Sequence, residues 1–345
     1  MRIKALDSIR GILLLQMTLD HFGKPIYDYL YQCFGFFSAA EGFFFLSGFV
    51  GMLAATSKSV KDPSQSWMRK RSLRIWVYHI ATLLFVSTLA YFALDRIQWF
   101  FRPMYNHLAP AIPLSAMLAY TPMYLDVLPL YVTLLLVGSI TFPLFVRAKN
   151  KAQIILLWMP SLILWAIALT GTIDSAVHSL FPKWVSHGDF RPFSWQFIYF
   201  TGATVAAWWK RTDESDRQWV TKTTPWLLLP FVFGFLWSHQ LVPLEPPSEF
   251  LIDKQFVGPL RAANFFVFVA LIAGVIRKWP AALDFKVTNV IGRHSLDVYT
   301  AHIVLLYLWF ALPGDIRNHG PWNIVAPATA CLLLWILAKL REPRK

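Results

Sequence analysis

Three groups of residues have the types and spacing to do chemistry. The first is Asp20–His21, at the end of LDSIRGILLLQMTLDHFG, with Glu41 at the start of the next apolar run, SAAEGFFFLSGFVG. A carboxylate beside an imidazole orients the ring and stabilises the imidazolium, which is what a general base toward a hydroxyl needs. Either Asp20 or Glu41 could be that carboxylate. Neighbours on a helix diverge by about 100°, so Asp20 points away from His21 and Glu41 is the preferred partner. The second group is Arg69, Lys70, Arg71 and Arg74 in SWMRKRSLRI. Arg71 and Arg74 are three apart and share a helical face. They could hold phosphates through charge-assisted hydrogen bonds, although such a cluster also reads as membrane anchoring or lipid contact.

The third group is scattered through otherwise apolar runs: Asp126, Trp195, Gln196, Arg261 and Asn264. Charged groups in apolar segments are costly and invite a functional reading, and these five are candidates for binding the hydroxyls of an acceptor. Asp7 and Arg10 sit three apart on the first run, as a topology-fixing ion pair or as part of a donor passage. His21 lies about 16 Å beyond Arg10 at helical rise. His294, Ser295 and Asp297 suggest a hydrolase triad, with His302 deeper in the same run. No nucleophile elbow surrounds Ser295 and neighbours on a helix diverge, so a triad is not expected. Cys33 and Cys331 are far apart and match no metal-ligand spacing. They read as packing residues, and no metal is implied.

What must position these side chains is a set of membrane helices. The 345 residues are 56% hydrophobic and only 15% charged, against about 25% charge in soluble domains. Apolar runs long enough to cross a bilayer recur from end to end, without the alternation a membrane barrel would show. The pattern predicts an all-α, polytopic protein with ten spans near 6–23, 38–56, 74–93, 127–146, 153–171, 194–209, 224–241, 258–276, 290–311 and 322–340, in a single domain, 1–345. Gly42, Gly48 and Gly51 are expected to let helices approach closely. Asp20 and His21 interrupt the first run, so it reads as an uncleaved span rather than a signal peptide.

The net charge of +13 is distributed in short clusters between the runs, which points to topology rather than to nucleic acid. With the N-terminus in the cytoplasm and strict alternation, 24 of the 32 Lys and Arg fall on the cytoplasmic side, so both termini are expected there. The opposite loops, 95–126, 172–193 and 242–257, are rich in Pro, Trp, Tyr, His and acidic residues. They could line a carbohydrate cleft or form the interfacial aromatic belt.

The segments LDSIRGILLLQMTLDH, AAEGFFFLSGFV, RKRSLRI, LDVLPLYVTLLL, RPFSWQFIYFTGA, LRAANFFVF and IGRHSLDVY resemble, in this order and over nearly the whole chain, the OpgC family of glucan succinyltransferases. More widely, they are similar to transmembrane acyltransferases of the acyltransferase-three type. The resemblance implies a multi-pass enzyme of the bacterial inner membrane that transfers an acyl group, succinyl, from cytoplasmic acyl-CoA to an osmoregulated periplasmic glucan. It places the family's first-span histidine on His21, its second-span acid on Glu41 and its paired arginines on Arg71 and Arg74. Two other readings stay open: a non-enzymatic glycan or lipid carrier with the same polar core as its path, and an acyltransferase for another surface polysaccharide. Oligomeric state is not legible.

Overall fold

Local signals start several of the helices. Ser38 and Glu41 form a capping box that opens the helix Ala39–Lys58. Asn150 accepts the Gln153 backbone N–H at 2.9 Å to open Lys151–Ala168. Pro192 and Pro259 occupy first-turn positions, where a missing N–H costs nothing. The Asp62 carboxylate accepts from the Ser66 hydroxyl and the Trp67 N–H at the start of Ser66–Phe92. These bonds, with one from Ser64, hold Asp62 below the usual carboxylate range.

The computed structural model describes residues 3–93, 97, 107–318 and 320–343. Arg2, Arg96, Arg102, Arg344 and Lys345 of the charge pattern, and the loop stretch 102–106, lie outside them. Among the described residues the chain is all-α, with no strand. The long elements are α1 (Lys4–His21), α2 (Ala39–Lys58), α3 (Ser66–Phe92), α4 (Val127–Arg147), α5 (Lys151–Ala168), α6 (Pro192–Trp209), α7 (Glu214–Ser238), α8 (Pro259–Lys278), α9 (Lys286–Arg293), α10 (Ser295–Phe310) and α11 (Trp322–Leu340). Short helices Ile26–Leu30, Leu108–Ala116, Thr172–Ser179, Glu249–Ile252 and Gly314–Asn318 lie in the connections.

Six helices, α2, α3, α4, α5, α8 and α11, are long and apolar enough to cross a membrane, and α10 is a shorter apolar helix. The expected spans 6–23, 194–209 and 224–241 fall on the helices α1, α6 and α7, which do not reach that apolar content. Two differences from the sequence pattern matter. Helix α3 begins at Ser66, so the Arg69–Arg74 cluster lies in its first turns, ahead of the expected span 74–93. The expected ninth span is broken at His294 into α9 and α10, with His294 at φ −107° and ψ 32°.

Helix α2 packs along α6, and α1 along α9. Glycines set both approaches: a Cβ on Gly48 would overlap the Tyr199 carbonyl oxygen, and one on Gly292 the Asp7 carbonyl oxygen. Around the α2–α6 seam Phe44, Phe142, Trp195 and Tyr199 are fully buried. Leu136, Ile140, Leu156, Leu229 and Leu332 point outward and stay exposed, the inverse of a soluble surface and the side lipid would cover.

Candidate functional site

The polar residues gather at the two ends of the bundle. At one end, the first turns of α3 and the α9–α10 break wall a cavity of about 440 Å³. Lys58, Lys70, Arg71, Arg74 and Arg293 line it, against one carboxylate, Asp297. Asp297 already accepts from the Tyr78 hydroxyl at 2.6 Å. Among the described residues Lys58, Lys70, Arg71 and Arg74 have no carboxylate partner. Arg69 is not part of this wall. Ser295 is, but His294 is engaged 2.9 Å from Glu342, so Ser295, His294 and Asp297 do not converge on one another.

At the other end, Asp20, His21, Tyr27, Tyr31, Asp126, Asp189 and Lys254 surround a second cavity of about 380 Å³. His21 closes one wall. Its Nδ1 lies 3.1 Å from Nε2 of His302, a residue 1% exposed, and its ring is 4.8 Å from that of Tyr124. With Nδ1 engaged, Nε2 is the nitrogen of His21 left to act on a ligand. Asp20 is buried and its Oδ1 has no partner among the described residues. Asp126, just before α4, accepts the Asp189 N–H through Oδ2 at 2.9 Å, and burial pushes its carboxyl up to about 6. Tyr124, in the same loop, is pushed up to about 12, chiefly by burial, and keeps its proton.

Between the two cavities runs a neck of only about 20 Å³, walled by Arg10, Phe43, Ser47, Leu128 and Tyr131 among others. It shares Arg71, Ser295 and Leu296 with the basic cavity and Val127 and Tyr299 with the His21 cavity. Basic cavity, neck and His21 cavity therefore form one line through the bundle, closed at its middle. Arg10 holds Asp7 at 3.5 Å and faces this neck.

Several expected site residues stand beside the line rather than in it. Glu41 does not meet His21. Its Oε2 accepts from the Ser38 N–H at 3.0 Å and the Ser38 hydroxyl at 2.8 Å, and Oε1 forms a buried ion pair with Arg261. The carboxylate is taken up by capping and by charge neutralisation, so the expected Glu41–His21 couple gives way to His21–His302. Asn264 accepts the Phe36 N–H at 2.9 Å and braces the chain ahead of α2. Gln196 accepts from the Ser161 hydroxyl at 2.6 Å and donates to the Ser161 carbonyl at 2.9 Å, clamping α6 to α5. Trp195 donates to the Lys254 carbonyl at 3.0 Å and thereby sets the backbone from which Lys254 enters the cavity. Lys254, Asp189 and Tyr31 are polar wall residues the sequence did not single out, and His302, noted there only as a deeper residue of its run, is the partner of His21. No periodicity marks Tyr31, Asp189 and Lys254, because each lies in a connection between the long helices rather than on an apolar run.

Among the described residues no group of His, Cys, Asp and Glu is arranged to hold a metal ion. The profile of the OpgC protein family matches residues 2–345. No curated protein matches the chain.

Proposed function

The chain belongs to the OpgC protein family, and from that premise we propose that it is a membrane O-acyltransferase acting on a periplasmic glucan, with acyl-CoA as donor and succinyl as the acyl group. The observation that carries this reading is the line of cavities from the unpaired cations of α3 to the imidazole of His21. A donor made of an anionic nucleotide head and a long thin arm fits such a line. Phosphates rest on Arg71 and Arg74, the arm passes Arg10 in the neck, and the thioester reaches the His21 cavity. The neck must widen for this. In this reading the basic end faces the cytoplasm, the helices make ten passes as a single domain with both termini inside, and the protein lies in the bacterial inner membrane.

The step itself is an acyl transfer. His21 Nε2 takes the proton of an acceptor hydroxyl as its oxygen attacks the thioester carbonyl. The carbon–sulfur bond breaks, and the proton passes to the departing thiolate. For Nε2 to accept, Nδ1 must carry the ring proton and donate it to Nε2 of His302. His302 is thus a positioning residue that selects the tautomer and shares the imidazolium charge. Asp20, Asp126 and Asp189 supply acceptors for sugar hydroxyls, while Glu41 and Arg261 fix the wall behind them.

The test uses purified protein in liposomes, with acyl-CoA offered at the Arg71 side and glucan at the other. Wild type should acylate the glucan, and His21→Ala should lose roughly 10²–10⁴-fold in turnover while still binding acyl-CoA. A carrier would move ligand without forming any ester. Near-normal turnover by His21→Ala would sink the mechanism.

A further inference from the structure

His21 faces two cavities, not one. Besides the cavity that ends the line through the bundle, a second of about 600 Å³ also has His21 on its wall. The two share His21, Gly23 and Tyr124. Their charges are opposite. The first holds three carboxylates, Asp20, Asp126 and Asp189, against one lysine, Lys254. The second holds Lys24 and Arg317 with the Asn323 amide, and no carboxylate on its wall. The remaining lining is largely aromatic: Phe22, Trp309 and Phe310.

We propose that this second cavity is a subsite for the negatively charged end of the transferred acyl group, with Arg317 as the main recognising cation and Lys24 as its support. The inference rests on the acyl-transfer reading of His21 and adds to it the place where the charged end of the acyl group is held and the residues that select it. An acyl chain that ends in a carboxylate is repelled by the acidic cavity and attracted past His21 into the basic one. That pull sets the carbonyl carbon at the imidazole, while the acidic cavity keeps its carboxylates for neutral hydroxyls. Arg317 is built for the task. Its Nε donates to the Leu312 carbonyl at 3.1 Å, which fixes the stem and leaves the terminal nitrogens to a ligand. Its guanidinium stands 5.8 Å from the Phe310 ring centre. Among the described residues it forms no ion pair. Lys24 is 3.6 Å from Asp28, with both side chains largely in the open, so that pair is readily exchanged for another anion. The volume falls within the range of small-molecule sites, about 300–1,000 Å³, and the aromatic wall suits the methylene part of such a chain.

The experiment compares succinyl-CoA with butyryl-CoA, which has the same chain length and no terminal charge, as donors to the same neutral glucan in liposomes. Wild type should favour the charged donor. In Arg317→Gln the ratio of kcat/KM, charged over neutral donor, should fall about tenfold or more, as expected when one charge-assisted contact is lost. Arg317→Lys should recover part of it, and Lys24→Gln should shift the ratio in the same direction by less. An equal loss on both donors, or an unchanged ratio, overturns the subsite. So does a ratio that changes only when the glucan itself carries anionic substituents, since the charge recognised would then belong to the acceptor. If wild type transfers neither acyl group, the acyl-transfer reading fails as a whole. If it transfers both alike, that reading stands and only the charged subsite falls.

Discussion

Glu41 tests whether a charged residue in a membrane helix serves the reaction or the frame. It is 0% exposed and Arg261 is 0% exposed, and each neutralises the other. Glu41→Gln keeps the shape, and the amide oxygen can still accept from Ser38, so the capping box survives in part. What is lost is the negative charge, and Arg261 remains buried without a counter-ion. Removing one partner of such a pair typically costs about 3–5 kcal/mol, on the order of a hundred- to several-thousand-fold in the folding equilibrium. Arg261→Met alone strands Glu41 in the same way. The double variant Glu41→Gln, Arg261→Met removes both charges and should be more stable than either single variant, with a coupling energy of about 2 kcal/mol or more. Denaturant titration in detergent micelles, followed by helical circular dichroism, reads all four proteins. Were Glu41 instead the residue that orients His21, Glu41→Gln would lower turnover with stability intact, and the double variant would rescue nothing. A Glu41→Gln protein as stable as wild type, or a purely additive cycle, would refute the structural role.

Four further outcomes are expected. Arg71→Ala with Arg74→Ala should weaken acyl-CoA binding by about tenfold or more per lost contact; unchanged affinity would return the cluster to membrane anchoring. His302→Ala should lower kcat about tenfold or more and shift the pH dependence of kcat/KM, while His302→Gln, which offers an acceptor near the place of Nε2, should recover part; a change in KM alone would exclude the positioning role. Asp126 is raised from 3.8 to about 6, so the folded protein binds more protons than the unfolded chain between about pH 4 and 6, and stability falls as pH rises through that window. Asp126→Asn should flatten this slope and gain on the order of 3 kcal/mol at neutral pH, and a wild-type-like slope in unfolding measurements would count against it. A fluorescent reporter fused after Lys345 should light the cytoplasmic side and a phosphatase at the same point should stay inactive; the reverse would invert the assignment of both cavities.

The helices were legible because a bilayer leaves few options. A span must bond its own backbone and bury no free charge, so composition and length alone mark places such as α4 and α5. The helix ends were less so. Apolar content places α3 from residue 74 on, whereas its first turns are polar and begin eight residues earlier, at Ser66, where the Asp62 carboxylate accepts from Ser66 and Trp67. The break at His294 was missed because the expected span, 290–311, joined the last residues of the amphipathic α9 to the apolar α10.

The site was legible as a set of residue types and illegible as a set of pairs. His21 and Asp20 could be picked out because polar groups in an apolar helix need a reason, and both line the cavity. Which residue meets His21 depended on packing between α1 and α10, 281 positions apart, and a single sequence carries no trace of such a contact. For Glu41 the sequence did hold a competing signal. Ser38–Ala39–Ala40–Glu41 has the spacing of a capping box, in which the acid turns back toward its own helix start. An acid at that position is committed to local backbone before any distant imidazole can use it. Its remaining oxygen then needs a positive charge from another helix, which Arg261 of α8 provides. The general point is one of competition for lone pairs. In a low-dielectric bundle each carboxylate is claimed by the donors that lie nearest, and the groups left for chemistry are those that local structure leaves unclaimed. Asp20, with one oxygen unpartnered among the described residues at the edge of the cavity, is such a group; Glu41 is not.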